Sequence, residues 1–242
     1  MLDQITTGNI LFLDIETVPQ CADYSQLPPN LATLWEKKAG QLARLEKFAD
    51  SEGSEPQTLY NRAGIYAEFG KIICISTGIL RNGTLWIKSF SGEDETQLLQ
   101  AFSEFMSRLK EKNVTHLCAH NGKEFDYPYI IRRLLINGLP VPDMLDLAGK
   151  KPWEVNHLDT MELWKFGDFK SYTSLELLAA VFGIPTPKDD ISGADVGRVY
   201  CEENDLPRIV TYCHKDVVTI VNILLRYKGK PFVSDDSIQY VG

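Results

Sequence analysis

A near-continuous apolar run, ILFLDI at Ile10–Ile15, reads as a central strand buried on both faces. Two carboxylates, Asp14 and Glu16, interrupt it. Residues i and i+2 of a strand point to the same face, so both acids project together. Two like charges about 4 Å apart repel by roughly 4 kcal/mol at an effective dielectric of about 20, before any cost of desolvation. A buried strand carries such a pair only with compensation: a cation, a shared proton, or an end open to water. A strand that simply runs out into a solvated acidic turn is the plain alternative, and Thr17-Val18-Pro19 favours it.

The chain around that strand has 242 residues, 44% hydrophobic and 24% charged, which allows a real core and excludes disordered, collagen-like or coiled-coil classes. Its apolar runs fall far short of the roughly 18 residues that span a bilayer. The start, MLDQITTGN, has no basic region or apolar stretch of a signal peptide, so a cytoplasmic protein with no membrane partner is expected. Five cysteines (Cys21, Cys74, Cys118, Cys201, Cys213) form no CxxC pair and read as free thiols in a reducing compartment. The net charge of -8 gives no support to a surface that clamps duplex nucleic acid through many phosphates. Phosphate chemistry would need a local device, and bound metal ions are the obvious one.

Further apolar runs at Lys71–Leu80 and Thr84–Phe90 flank Arg81-Asn82-Gly83, a strong hairpin signal, and should be antiparallel neighbours. Helical spacing marks Asp94–Lys112, about Tyr127–Asn137, Ser174–Phe182, Asp195–Glu203 and Leu206–Tyr227, with a short strand at Thr115–Ala119. Between the first two strands, Cys21–Gly70 reads as one or two inserted helices carrying Leu31, Leu34, Trp35, Leu42, Leu45 and Phe48, then a flexible link around Ser51–Pro56. The expectation is one α/β domain over residues 1–242 with a helical insertion after its first strand, rooted close to Glu16.

Two more acids join the first pair. In HNGKEFDYPYI, Asp126 lies at a loop-to-helix junction, where helix capping alone would explain it. In YCHKDVVTIV, Tyr212 and Asp216 are i and i+4 and share a helix face. Asp14, Glu16, Asp126 and Asp216 are hard oxygen donors without zinc-like thiol or imidazole spacing, which suits Mg²⁺ or Mn²⁺. A pair of such ions about 3.5–4 Å apart is the usual solution for in-line attack on a phosphodiester.

In order, D-x-E, N-x3-F-D and Y-x3-D, these residues resemble the DEDD superfamily of 3′–5′ exonucleases, in its DEDDy branch. The histidine of a DEDDh member would stand at Thr211. HLDTMELW (His157–Trp164), SYTSLELLAAVFG (Ser171–Gly183) and NDLPRIVTYCHKD (Asn204–Asp216) extend the likeness to the proofreading domain of family B DNA polymerases, over most of the chain except the insertion. The resemblance implies an RNase H-like fold, a mixed sheet of about five strands flanked by helices. It also implies a two-metal 3′–5′ exonuclease that releases nucleoside 5′-monophosphates from single-stranded 3′ ends, DNA before RNA.

By the same resemblance, Asp14 would bridge both ions, Glu16 and Asp216 would complete the water-activating site, and Asp126 would hold the second ion. Tyr212 would orient the attacking water, since a phenol with an ordinary pKa of about 10 is a poor base at neutral pH. Asn121, Thr17 and Phe125 would line the terminal nucleotide, although Phe125 also suits packing against the sheet. His120 and His214 receive no ligand role, and Cys213–His214 are expected to face away from the Tyr212/Asp216 side. Asp159 reads either as support for the site or as a charge at a strand end. Lys123, Arg132, Arg133, Lys165 and Lys170 could touch a nucleic-acid backbone or simply be solvated. An RNA 3′-trimming enzyme and a non-catalytic nucleic-acid-binding module of the same fold are the rival functions.

Overall fold

The computed structural model describes residues 4–45, 55–168, 172–185 and 191–241. The apolar run forms β1 (Ile10–Pro19), third in a six-stranded sheet of order β5-β4-β1-β2-β3-β6. Its partners are β2 (Gly70–Arg81) and β4 (His116–Ala119), antiparallel and parallel respectively. β3 (Thr84–Ser91) follows β2 through Asn82 and Gly83, whose φ angles of 51° and 80° are the left-handed pair that a tight two-residue hairpin requires. β5 (Leu158–Asp159) and β6 (Ile238–Val241) run parallel to β4 and β3 at the two edges.

The sheet therefore has one strand more than expected. β6 is four residues long and mostly exposed, so it carries no apolar signal. The chain reaches that edge because the Asn222 side chain accepts a hydrogen bond from the Val233 N–H at 2.9 Å, turning the segment after the last helix back toward β3.

The helices are α1 (Pro29–Leu45), α2 (Pro56–Leu59), α3 (Glu95–Leu109), α4 (Asp126–Ile136), α5 (Thr160–Lys165), α6 (Leu175–Phe182), α7 (Val196–Arg198) and α8 (Leu206–Tyr227). The helix expected over Asp195–Glu203 is instead the single turn of α7 followed by a π-helical turn at Val199–Glu203. That wider turn leaves the Tyr200 hydroxyl 3.0 Å from Lys71 Nζ.

Alternation along β1 feeds two cores. Leu11, Leu13 and Ile15 pack with Leu98, Phe102 and Met106 of α3 and Ile130 and Leu134 of α4. Ile10 and Phe12 pack with Val217, Ile220, Val221 and Leu224 of α8. Asp14 and Glu16 continue the second series, so the period of two aims both acids at the helix that carries Tyr212 and Asp216. Gly78 of β2, opposite Phe12, keeps that helix close: a Cβ there would lie 2.8 Å from Val217 Cγ1.

The insertion is helical and has its own small core of Leu27, Trp35, Ala39, Leu59, Tyr60, Ala63 and Phe69. Trp35 Nε1 donates to Pro56 O at 2.7 Å and ties α1 to α2, whereas Leu34 is exposed. Phe48 and the expected link as far as Ser54 lie outside the described residues, and Pro56 itself opens α2. The insertion is seated on the end of β1, where Gly64 abuts the Val18 backbone and its carbonyl accepts from Tyr129 Oη at 2.7 Å. Among the described residues, no helix is long and apolar enough to cross a membrane.

Candidate active site

Three elements bring the expected residues together. β1 supplies Asp14 and Glu16 just before a register shift between Glu16 and Thr17, and α4 supplies Asp126 at its first residue. The third, α8, supplies Tyr212 and Asp216. β4 pairs with β1 only over Ile10–Phe12, so the Ile15 N–H beyond it lacks a strand partner on that side. The Asp126 carboxylate accepts that N–H and its own backbone N–H. A carboxylate at this place also meets the positive end of the α4 dipole.

The acids are crowded, two of them buried and Asp14 and Asp216 half-buried. Glu16 is 7% exposed and Asp126 3%. Burial raises the Asp14 carboxyl well above the ordinary range, and Asp216, Glu16 and Asp126 raise it further. Burial does the same to Glu16, followed by Asp216 and the nearby Cys74 and Asp126. Asp126 is pushed up to about 8, chiefly by burial, against the two backbone N–H groups that favour its charge. Among the described residues, no basic side chain is among the main influences on these three acids. Mutually repelling carboxylates are hard oxygen donors, so the residues present fit divalent metal ions.

Tyr212 packs beside Val18, Ile73 and Val199 and hydrogen-bonds the Asp216 carboxylate. Burial and the surrounding acids raise its hydroxyl far above the ordinary phenol value, so it keeps its proton at any working pH. Gly193 lies against the same hydroxyl, a Cβ there falling 3.9 Å from it.

Of the expected substrate contacts, Asn121 adopts φ 63° at the turn that leads into α4, and its carbonyl accepts from Phe125 N at 2.9 Å. Phe125 is half-buried against Tyr129, with ring centroids 5.3 Å apart, as a packing residue would be. The Thr17 hydroxyl is engaged by Tyr129.

Asp159 is the organiser of this loop. Its carboxylate accepts from the backbone N–H groups of Asn121, Lys123, Met161 and Glu162 at 2.9–3.2 Å, joining the β4 end to the start of α5. His120 is held between Thr160 Oγ1 and Thr173 O, at 2.8 and 2.9 Å. Arg133 is neither a backbone contact nor solvated: it is buried in an ion pair with Glu95, which also accepts from the Ile72 N–H and from Asn137 Nδ2. Lys123 pairs with Glu162 at 2.6 Å, and Lys165 lies 4.5 Å over the Tyr172 ring. Lys170 lies outside the described residues.

Cys213 corrects the expectation that it faces away. Its Sγ lies 3.3 Å from Asp14 Oδ2, and the donor atoms of Asp14, Glu16 and Cys213 are all within 4.8 Å of one another. At 100° per residue, Cys213 stands about 60° round the helix from Asp216, close enough to share its face. His214 does point elsewhere, with Nε2 2.6 Å from Ser89 Oγ.

Residues 65–231 match a protein family described as a predicted 3′–5′ exonuclease related to the exonuclease domain of PolB. The chain belongs to that family. The matched segment of this PolB-related exonuclease family contains Asn121, Phe125, Asp126, Tyr212 and Asp216, while Asp14, Glu16 and Thr17 precede it and join through β1. Among solved structures, the family B DNA polymerase of the hyperthermophilic archaeon Pyrobaculum calidifontis is similar, with a TM-score of 0.54 and 16% identity. The likeness covers 90% of this chain and 24% of the polymerase, so the chain spans about a quarter of that protein. It shows a shared RNase H-like fold. Comparison with curated proteins gives no match.

Proposed function

We propose that the chain is a divalent-metal-dependent 3′–5′ exonuclease of the DEDDy type, acting on single-stranded 3′ ends, DNA in preference to RNA, and releasing nucleoside 5′-monophosphates. The observation that carries this reading is the meeting of Asp14, Glu16, Asp126 and Asp216 from three elements around one buried space, with the Tyr212 hydroxyl on its wall. Four acids in that density serve no structural need, because each raises the cost of its neighbours.

Asp14, Glu16, Asp126 and Asp216 would hold two Mg²⁺ or Mn²⁺ ions, which supply Lewis-acid activation of water and charge neutralisation at the leaving oxygen when bound. Tyr212, its proton donated to Asp216, would accept a hydrogen bond from the attacking water and so orient it without taking its proton. Asp159 holds the Asn121–Lys123 backbone in place, and with it the turn that would present Asn121 to the terminal nucleotide. At the end of β1, beyond Val18, lies a cavity of about 230 Å³ lined by Pro19, Gln20, Lys71, Glu93, Tyr200 and Asn204. Lys71 and the Tyr200 ring, 4.9 Å from ammonium to centroid, offer a charge and a stacking face to upstream nucleotides.

The test is incubation of 5′-labelled single-stranded DNA and RNA with the protein and Mn²⁺ or Mg²⁺. A ladder shortening from the 3′ end of DNA, absent with chelator, is the expected result. Endonucleolytic fragments, or no cleavage with either ion, would overturn the reading; faster trimming of RNA would overturn the preference for DNA.

A further inference from the structure

Two thiols stand behind the carboxylates, and the exonuclease reading uses neither. Cys213 Sγ approaches Asp14 at both Oδ2, 3.3 Å, and the backbone carbonyl, 3.5 Å. Cys74 faces Glu16 across the β1–β2 register and hydrogen-bonds Cys213. Both thiols are fully buried. One sulfur, Cys213, thus converges with two carboxylates, the Asp14, Glu16 and Cys213 donors lying within 4.8 Å of one another, and Cys74 stands beside it as a second sulfur within reach of Glu16.

This donor set differs in kind from four carboxylates. Magnesium and manganese prefer oxygen, whereas thiolates select softer ions and zinc. In a tetrahedral zinc site, bonds of about 2.3 Å to sulfur and 2.0–2.2 Å to oxygen place neighbouring donors about 3.3–3.8 Å apart, so side-chain shifts of about 1 Å would close this set on an ion.

We propose that Asp14, Glu16, Cys213 and Cys74 form a site for a thiophilic divalent cation, zinc foremost, that competes with the hard ions and arrests hydrolysis. The arrest rests on the exonuclease reading; the ligation does not. As each sulfur–zinc bond forms, the thiol proton leaves to water and no electrons change hands. For Cys74 a hydrogen-bonded route leads outward, from Ser76 Oγ at 3.6 Å to Ser89 Oγ at 2.7 Å and then to the half-buried His214 at 2.6 Å.

Cobalt(II) reports thiolate ligation directly, through a near-ultraviolet sulfur-to-metal band and intense visible bands of tetrahedral geometry. Cobalt added to the purified protein, without nucleic acid, should give both, and equimolar zinc should abolish them where millimolar magnesium does not. Cys213→Ser should lose at least half of the near-ultraviolet band and bind cobalt about tenfold more weakly or worse. Cys74→Ser should lose about half of the band, as one of two thiolates. No such band in the native protein, or an undiminished band in either variant, overturns the proposal. If the variants fail to fold, alkylation of the native protein decides, followed over hours in mild urea so that transient opening exposes the buried thiol: zinc should slow labelling of Cys213, mapped by peptide mass, and equal rates with and without zinc overturn the proposal. Hydrolysis of labelled single-stranded DNA with manganese alone is measured in parallel. Its absence beside an intact cobalt spectrum sinks the exonuclease reading but not the thiolate site, and the converse sinks only the site.

Discussion

Replacing Asp14 by alanine takes away the acid that three other carboxylates surround. Exonuclease activity should fall to background at every manganese concentration, while the metal-free variant should melt no lower than the native protein, because a buried, repelled charge is gone. Tyr212→Phe keeps every carboxylate and nearly the same volume. One oriented hydrogen bond of about 1.5–3 kcal/mol corresponds to a rate loss of about 10-fold to 100-fold, with manganese-induced stabilisation intact. Native rates in the Phe variant would return Tyr212 to a purely packing role. A third residue governs acid stability. His157 Nδ1 accepts from the Leu117 N–H at 3.2 Å, while Nε2 meets Met144 O at 2.8 Å and so carries the ring's one proton. That pairing needs a neutral ring, and burial pushes the pKa down to about 4. The unfolded chain takes up this proton near pH 6.5 and the folded one does not, so the contribution is complete above about 6.5 and drains away as pH falls toward 4. The loss amounts to roughly 3 kcal/mol. Urea titrations at pH 7 and 4.5 should show a smaller drop in His157→Asn than in the native protein; identical drops would refute the assignment.

Among the elements, α8 sets the geometry of the site, and a missing side chain sets the height of α8. Gly78→Ala would place a Cβ 2.8 Å from Val217 Cγ1 and 3.2 Å from Leu85 Cδ1, on stiff partners. Overpacking of this kind costs about 1–3 kcal/mol. Lifting the helix also carries Asp216 away from β1, so kcat should fall well beyond what the urea midpoint alone would suggest; proportionate losses would mean that the strain is absorbed elsewhere. The strands and long helices were legible because their periodicities are strong: ILFLDI, the Asn82-Gly83 turn and the α8 stripe each left little choice. β6 was not, since IQYV at an exposed edge is chosen by the Asn222–Val233 tether rather than by its own pattern. The four acids were legible as misfits in apolar or helical contexts. Cys213 was hidden by looking like an ordinary apolar helix residue, although its angle to Asp216 already pointed inward. Asp159 could be seen as an acid near a strand end, but its four backbone partners come from two separate segments and exist only once the sheet has formed.

For the molecule as a whole, a cluster of mutually repelling acids makes stability depend on what is dissolved around it. With manganese at a hundredfold excess over its Kd, unfolding should cost about 2.7 kcal/mol more than with chelator. The raised carboxyl pKa values act in the opposite sense to that of His157. These acids favour the metal-free fold at low pH and burden it as pH rises through their folded values, and protons compete with metal for the same oxygens. The manganese-minus-chelator difference, in which His157 cancels, should therefore be larger at pH 7.5 than at pH 5.5; calorimetry showing the reverse would count against shared sites. The three-segment construction also has a consequence in time. Glu16 and Asp216 are separated by 200 residues. At a synthesis rate of about 5–20 residues per second, the β1 acids wait roughly 10–40 s before their α8 partner has even been made. On the proposed reading, a growing chain is thus chemically silent toward nucleic acid, including the message being translated, until α8 has been made.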